Sequence, residues 1–388
     1  MAYPLAVTLL FFISPLLSLI FTIHGLFTSK KYSLWFGVIF AMTVGLLVYS
    51  IVPGQETDLY RYYRYLDDIS RYNFSDVISS IWSAGDPLSY SLMYIVSHFL
   101  SNNFVPFVVA LIDYSILFYI IFDYRKQFIH KQDWRTRLCI LFTISTFIVF
   151  NSLIGLRFSV GTLVFLLALY LDTVRKEKWV SKILYISSIF FHSSMLLMAV
   201  LRVGVWFFHK RSILFYALAL VTGSISSLLL VFSEQLSAIP FLSHFGRRAA
   251  DYLVFNIPSG FVYPFNLLTC VLLLVVIFLM RQKKQGSSII VKLNIATILI
   301  AFANFYQFVI ASRFTTISKY LFILVLLEFL ADSRNEKLTR NNLIAIILLG
   351  IVILGNLCFQ FIAFSGVELM WDFPEVLYKN VIQLLVVR

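Results

Sequence analysis

The sequence predicts an all-α polytopic membrane protein. Hydrophobic residues make up 60% of the 388 positions and charged residues only 13%, a balance more apolar than that of soluble domains. Apolar runs of about 20 residues recur along the whole chain, as helices that cross a hydrocarbon core of about 30 Å require. Because open sheets and irregular backbone cannot face lipid, the predicted fold is a helical bundle of about 11–13 membrane segments, including short or re-entrant ones.

The basic residues indicate topology rather than a nucleic-acid partner. The net charge is +12, and lysine and arginine accumulate in the cytoplasmic loops of any protein of this class. The first apolar run has no basic residue before Lys30, so it is not predicted to be a cleavable signal peptide. Cys139, Cys270 and Cys358 fall inside apolar runs and are interpreted as packing residues rather than disulfide or metal ligands.

The N-terminus is predicted to lie outside. Helix one runs from about Pro4 to Leu26, and the Lys30-Lys31 turn behind it is expected inside. A second helix, about 34–52, returns to the outer face, where residues 53–104 form a polar loop region. Within it, residues 87–100 are apolar but short, which favours an interfacial or re-entrant helix over a full span.

The segment from Ile183 to Phe208 allows two alternatives, one long helix or a short hairpin that turns at His192 and Ser193. We favour the hairpin because it keeps the later basic clusters on the inner side. No repeat or linker is visible, so residues 1–388 are predicted to form one integral membrane domain. The other predicted helices cover about 105–124, 138–153, 158–173, 213–232, 262–280, 289–310, 318–330 and 343–362, with outer loops at 233–261 and 311–317 and an outer tail from Phe364.

Several polar side chains fall on the predicted outer face, and each also has a structural interpretation. An arginine at a helix end commonly extends to lipid headgroups, and a histidine at a turn is more often structural than catalytic. Tyrosines at a membrane boundary form an aromatic belt, and Asp58 is placed to pair with Arg61. The outer-face candidates are Asp58, the tyrosines at 60, 62, 63 and 65, Arg157 and Arg313 in short turns, His192, and Arg247 and Arg248.

Together these groups suit chemistry on a lipid-linked pyrophosphate. Arginine forks bind phosphates and stabilise the charge of a departing pyrophosphate. A histidine or an aspartate takes the proton from an attacking sugar hydroxyl. No P-loop, H-E-x-x-H or G-x-S-x-G motif is present. The pattern therefore predicts group transfer in which arginines replace a divalent ion, with no metal and no other cofactor.

At these residues the sequence resembles the Wzy-type O-antigen and exopolysaccharide polymerases, in particular the EpsG-like branch. The matching features are T-D-L-Y-R-Y-Y (Thr57–Tyr63), L-R-F-S-V-G (Leu156–Gly161), F-H-S-S (Phe191–Ser194), and a late Arg313 before Tyr320. The resemblance implies a GT-C-like membrane glycosyltransferase of polysaccharide or lipopolysaccharide biosynthesis. Such an enzyme moves a glycan from undecaprenyl pyrophosphate to the non-reducing end of another lipid-linked repeat unit, with inversion.

The resemblance also implies roles, partners and a location. His192 is the first candidate for the base or for the group that positions the hydroxyl, and Asp58 is the second. The partners are the undecaprenyl-pyrophosphate-linked oligosaccharide, membrane lipid, a flippase and a chain-length regulator. The location is the bacterial inner membrane, with the site on the periplasmic face. The implied ligands of the pyrophosphate are Arg157, Arg313, Arg247 and Arg248, and those of the glycan are Tyr60, Tyr63 and Tyr320.

Three alternatives remain open on the sequence. An O-antigen ligase uses similar arginines and a histidine, although the modest 233–261 loop favours a polymerase. A transporter or flippase of lipid-linked sugars typically shows internal repeats and charges at broken helices, and no repeat is visible here. A membrane-bound acyltransferase would need a deep histidine, which His192 does not exclude. The sequence does not specify the sugars or the linkage.

Overall fold

The protein is described by a computed structural model in which the regular structure of the described residues is helical. It describes the chain except residues 1, 56, 129–133, 147–154, 209, 232–234, 236–261, 281–287, 306, 333–338, 366–367, 369–374, 376–377 and 387–388. The chain divides into two compact units. Unit 1 comprises Met1–Leu196 and Asn356–Arg388, and unit 2 comprises Leu197–Gly355. The single membrane domain over 1–388 stays a prediction.

The helices of unit 1 include both long and short apolar segments. They are α1 (Ala2–Ile13), α2 (Pro15–Thr28), α3 (Ser33–Tyr49), α4 (Asp58–Ile69), α5 (Phe74–Ser83), α6 (Pro87–Phe99), α7 (Phe104–Phe128), α8 (Trp134–Thr146), α9 (Leu156–Tyr170, continued by a π turn, Leu171–Arg175) and α10 (Lys178–Phe191).

The helices that follow are α11 (Met195–Phe207), α12 (Ser212–Val231), α13 (Val262–Met280), α14 (Ile289–Ala303), α15 (Phe308–Asp332), α16 (Arg340–Ser365) and α17 (Val381–Val386). Helices α11 and α16 pass from one unit to the other, and α17 belongs to unit 1.

Four described helices are long and apolar enough to cross a membrane by length and composition. They cover Phe104–Phe128, Leu156–Arg175, Phe308–Phe329 and Arg340–Ile362, and shorter apolar helices accompany them. The prediction of an all-helical polytopic membrane protein is therefore confirmed. The predicted short helix after Asp86 is also found, as α6.

The predicted first helix, Pro4 to Leu26, is wrong as a single element. The chain breaks at Ser14, which adopts an extended backbone and accepts a hydrogen bond from the N–H of Leu17 at 3.3 Å. Pro15 follows at the first position of α2, where its missing N–H costs nothing. The apolar run thus contains two short helices.

The predicted outer turn at 311–317 is also wrong. These residues lie inside α15, which begins at Phe308, and α14 ends at Ala303. The polar stretch is compatible with a buried helix because its hydroxyls donate to carbonyls in the preceding turn, Thr315 to Ala311 at 2.9 Å and Thr316 to Ser312 at 3.0 Å. Arg313 is therefore a helical residue, and the predicted helix 289–310 ends at Ala303.

Arg157 likewise lies in a helix, at the second residue of α9, and not in a turn between helices. The predicted break at His192 and Ser193 is found, since α10 ends at Phe191 and α11 begins at Met195, while the hairpin itself stays a prediction. The loop predicted at 233–261, with Arg247 and Arg248, lies almost wholly outside the described residues.

The core of unit 1 is built on α7, which packs antiparallel to α3 and parallel to α9. Gly45 and Gly37 of α3 approach Phe107 and Phe118 of α7 so closely that an added Cβ would lie 2.8 and 3.1 Å from those rings. The parallel pairing follows from two hydrogen bonds. Ser159 donates to Asp113 at 2.5 Å near the start of both helices, and Tyr170 donates to Asp123 at 2.6 Å near their ends.

This packing gives unit 1 two ends that are about 24 Å apart along α9, at 1.5 Å per residue from Ser159 to Arg175. We call the end at the start of α7 and α9, with α4, α5 and α6, the site end. We call the opposite end the basic end. It carries Lys30, Lys31, Arg125, Lys126 and Arg175.

We expect cysteines at the two ends of unit 1 to be labelled from opposite sides of the membrane. In a Cys358→Ser background, Lys31→Cys and Lys178→Cys should react with an impermeant maleimide only in inverted vesicles. Arg64→Cys and Trp82→Cys should react in intact cells, because the predicted outer face is the site end. Leu163→Cys, at a buried position, is the unlabelled control. Labelling of both sets from one side would contradict the assignment of the two ends.

Candidate functional site

The candidate site lies at the site end, where three segments of unit 1 meet. They are the start of α9, which carries Arg157, the start of α6, which follows Asp86, and the turn His192–Ser194 between α10 and α11. Helix α4 covers this junction with a buried face formed by Leu59, Tyr62, Leu66 and Ile69. The spacing of these four residues is that of one face of a helix.

Arg157 is held by one neutral and one charged acceptor. Its Nε–H donates to the Tyr62 hydroxyl at 2.9 Å, and its Nη1 lies 2.6 Å from Asp86 Oδ2. Its side chain is 21% exposed. A guanidinium has five N–H donors. Two are engaged among the described residues, so three remain, on Nη1 and Nη2, for an anionic ligand.

Two tyrosine rings fix the plane of this guanidinium. Its Cζ lies 5.3 Å from the ring centre of Tyr62 and 5.0 Å from that of Tyr90, within the range of cation–π attraction. Tyr65 packs edge-on against Tyr90 at 4.9 Å and shares a hydrogen bond with Ser80 at 2.9 Å. Burial raises the pKa of Tyr62 to about 12, so its hydroxyl stays protonated at physiological pH.

Asp86 connects all three segments. The carboxyl is 1% exposed on the side chain, and Oδ1 accepts the backbone N–H of Ser193 at 2.9 Å while Oδ2 binds Arg157. It occupies the N-cap position of α6 but makes no side-chain cap, because both oxygens point to other segments. A buried carboxylate with a cationic partner and a backbone donor is compensated, and loss of either partner would leave a buried charge.

From the sequence, Tyr62 was placed among the outer-face tyrosines without being given a role, and Asp86 and Tyr90 were not singled out. Asp86 lies in the predicted outer loop region, 53–104. The signal that could have found it is the Asp-Pro step that begins a short apolar helix, since aspartate before a first-turn proline marks a helix start. The identity of its partners follows from the tertiary fold alone.

His192 heads the turn after α10 and is 7% exposed. Its Nδ1 accepts the backbone N–H of Ser194 at 3.2 Å and lies 2.7 Å from the hydroxyl of the same residue. A ring nitrogen that accepts a backbone N–H carries no proton, so the neutral imidazole is assigned with its proton on Nε2. The ring of Phe158 packs edge-on against His192 at 5.4 Å.

The turn is pressed closely against α9 and α6. A Cβ at Gly161 would lie 2.9 Å from the Cβ of His192, so this position accepts only glycine without a shift. Ser89 of α6 donates its hydroxyl to the Phe191 carbonyl at 2.7 Å. The turn is thereby held from two sides, by Gly161 at close range and by the start of α6.

The other residues predicted on α4 are Asp58, Tyr60 and Tyr63. Asp58 begins α4, its side chain is 31% exposed, and its carboxylate lies 3.6 Å from Arg61. It precedes Tyr62 by one helical turn and so lies on the same side of α4. Tyr60 and Tyr63 are half-buried on this helix, whereas the tyrosine of α4 that contacts Arg157 is Tyr62.

The remaining predicted residues do not belong to unit 1. Arg313 and Tyr320 lie on α15 of unit 2, seven residues or about two turns apart, and Tyr320 is 1% exposed. Arg247 and Arg248 lie outside the described residues. Among the residues that the structure describes, no group of three or more histidine, cysteine or acidic side chains is placed to hold a metal ion.

Comparisons with known proteins give one family. A family model described as the EpsG family matches residues 32–366, which is most of the chain and includes Asp58, Asp86, Arg157 and His192. No curated protein matches the chain. No solved structure matches it either.

Gly161→Ala should destabilise the protein, because the new methyl group would meet the Cβ of His192. The expected cost is about 1–3 kcal/mol, typical of overpacking. The matched control is Gly350→Ala, since nothing lies within 4 Å of a Cβ at that helical glycine. The control should be neutral or stabilising by up to about 1 kcal/mol. Thermal unfolding in detergent measures both, and equal midpoints would contradict the close approach.

Proposed function

The chain belongs to the EpsG family, and from this we propose that it is an integral membrane glycosyltransferase that polymerises lipid-linked glycan repeat units. Membership indicates a glycan polymerase-like membrane protein. The finer proposal is transfer of a glycan from undecaprenyl pyrophosphate to the non-reducing end of another lipid-linked unit.

The observation that carries this proposal is that Arg157 is fixed in orientation but keeps unused N–H donors. Its guanidinium is fixed in orientation by Asp86, Tyr62 and Tyr90, yet it keeps three donors and a partly exposed side chain. It also lies in the first turn of α9, where backbone N–H groups and the helix dipole favour an anion. Fixed donors aimed at a developing charge stabilise it without reorganisation, as departure of a pyrophosphate requires.

The proposed reaction is an inverting displacement. The hydroxyl oxygen of the acceptor sugar attacks the anomeric carbon of the donor from the face opposite the pyrophosphate. The anomeric C–O bond breaks, and undecaprenyl pyrophosphate leaves with the bonding electrons and a negative charge that Arg157 stabilises. In this proposal arginine takes the charge-stabilising role, and no divalent ion is required.

The proton of the attacking hydroxyl must pass to a base. Because Nδ1 of His192 accepts from Ser194, the neutral ring presents an Nε2–H donor, which favours the hydroxyl-positioning role for His192. This assignment leaves the base role to Asp58, the half-exposed carboxylate at the start of α4. The roles of Arg313, Arg247 and Arg248 at the pyrophosphate, and of Tyr60, Tyr63 and Tyr320 at the glycan, stay predictions. The bacterial inner membrane, with the site on the periplasmic face, is part of the same proposal.

Arg157→Ala should slow polymerisation at least about 10²-fold, as removal of a single oxyanion donor does. The assay uses the full-length protein in detergent with a synthetic undecaprenyl-pyrophosphate repeat unit and EDTA, read as a glycan ladder. Arg64→Ala, an exposed arginine on α4, is the matched control and should keep full activity. Full activity of Arg157→Ala at normal protein level would contradict the assignment. Movement of the lipid in vesicles without a ladder would favour a transporter.

Asp86→Asn should lower kcat at least about tenfold, which corresponds to about 1.4 kcal/mol of barrier. The reason is that Arg157 loses the carboxylate that fixes its orientation, while Asn keeps the size of the side chain. Asp76→Asn, an exposed acidic residue on α5, is the control. If Asp86 acts through Arg157, the double variant Asp86→Asn/Arg157→Gln should have the same kcat as the single variant Arg157→Gln. Additive losses would give Asp86 a separate role.

A further inference from the structure

The basic end of unit 1 contains a cavity that the proposed reaction does not use. Its volume is about 660 Å³, in the range of ligand pockets in proteins. It lies between the start of α3 and the end of α7. The described residues that line it are Lys30, Lys31, Ser33, Leu34, Tyr119, Phe122, Asp123, Arg125 and Lys126.

Arg125 is the buried basic side chain in the lining of this cavity. The residue is 3% exposed, and its Nε and Nη2 atoms have no hydrogen-bond partner among the described residues. A buried guanidinium without an anionic partner is costly, and arginine in proteins is rarely buried unless it is paired. Arg157 at the site end, by contrast, has both a carboxylate and a hydroxyl. The donors of Arg125 therefore indicate a missing acceptor.

The acidic residue of the cavity does not supply that acceptor. Asp123 accepts hydrogen bonds from Tyr170 at 2.6 Å and from Gln127 at 2.8 Å. Its carboxylate also lies 3.6 Å from Nε of Arg175, outside the cavity lining. The cavity thus has four basic side chains against one carboxylate that is already shared with other groups. The lining therefore carries an excess of positive charge, which an anionic ligand would neutralise.

We propose that this cavity binds a phosphate group. Arg125 supplies a planar fork that matches phosphate oxygens, and the exposed lining residues Lys30, Lys31 and Lys126 add three positive charges. Leu34, Tyr119 and Phe122 form an apolar wall beside them. Basic pockets between membrane helices bind the headgroups of anionic lipids, and a soluble phosphate ester presents the same chemistry.

This site is separate from the one that carries the proposed reaction. Along α7, Arg125 follows Asp113 by twelve residues, about 18 Å, and Asp113 pairs with Ser159 only two residues after Arg157. The proposal therefore stands whether or not the chain is a polymerase. Its test uses binding alone.

The test measures binding to the full-length protein in a neutral detergent by the shift of its thermal unfolding midpoint, since a ligand of the folded state raises that midpoint. The probes are dioctanoyl phosphatidic acid, dioctanoyl phosphatidylcholine as the zwitterionic comparison, and glycerol 3-phosphate as the soluble ester. Wild type should bind phosphatidic acid in preference to phosphatidylcholine. Arg125→Gln should weaken that binding about tenfold or more, the effect of removing a charged hydrogen-bond donor.

Because Arg125→Gln alters a buried residue, a second variant tests the site from its surface. The double variant Lys30→Gln/Lys31→Gln changes exposed side chains and should also weaken binding. The control Lys178→Gln/Lys182→Gln removes the same charge from exposed positions on α10, outside the cavity lining, and should bind as wild type does.

The probes also identify the source of the phosphate. Binding of phosphatidic acid without glycerol 3-phosphate supports a lipid headgroup, and binding of both with equal affinity supports a soluble phosphate ester. Absence of binding by both anionic probes would overturn the proposal. Equal losses in the cavity and control lysine variants would overturn it as well, because the effect would then be one of net charge.

Discussion

The buried carboxylate of Asp86 is the constraint on which the candidate site depends. One oxygen binds Arg157 on α9 and the other accepts the Ser193 amide in the turn after α10. A charge buried to this extent is stable only with both partners in place, so the carboxylate sets the spacing of three segments at once. The rings of Tyr62 and Tyr90 then have a fixed cation to pack against. The orientation of Arg157 is thus a property of the fold and not of a flexible side chain.

Unit 1 uses arginine in two different ways at its two ends. At the site end a protein carboxylate compensates part of the charge of Arg157 and leaves some donors available. At the basic end Arg125 is buried beside a carboxylate that other residues already share. The parallel packing of α7 and α9 keeps these two environments apart, with Asp113 and Asp123 pairing to α9 at opposite ends.

Hydropathy and charge were sufficient to predict a helical membrane protein and the break between helices at His192. They could not predict Asp86 as the partner of Arg157, because 71 residues separate the two and an acidic loop residue has no hydropathy signal that marks it as buried. The turn predicted around Arg313 failed for a different reason. Serine and threonine resemble loop residues in composition, but in a membrane helix their hydroxyls bond to the preceding turn. The break at Ser14-Pro15 was visible in the sequence, since a proline ends a helix wherever its missing N–H would fall in the interior.

The sequence separations of the contacts at Arg157 and Asp86 bear on how the protein is made. Tyr62 is 95 residues from Arg157, and Ser193 is 107 residues from Asp86. Chain synthesis delivers α4 and α6 to the membrane long before α9 and α10. During that interval the carboxylate of Asp86 has neither its cation nor its backbone donor, so in the nascent chain it must stay in water or at the headgroups. Burial of Asp86 therefore follows the synthesis of α9 and of the turn after α10, and assembly of the site waits until the chain has reached Ser193.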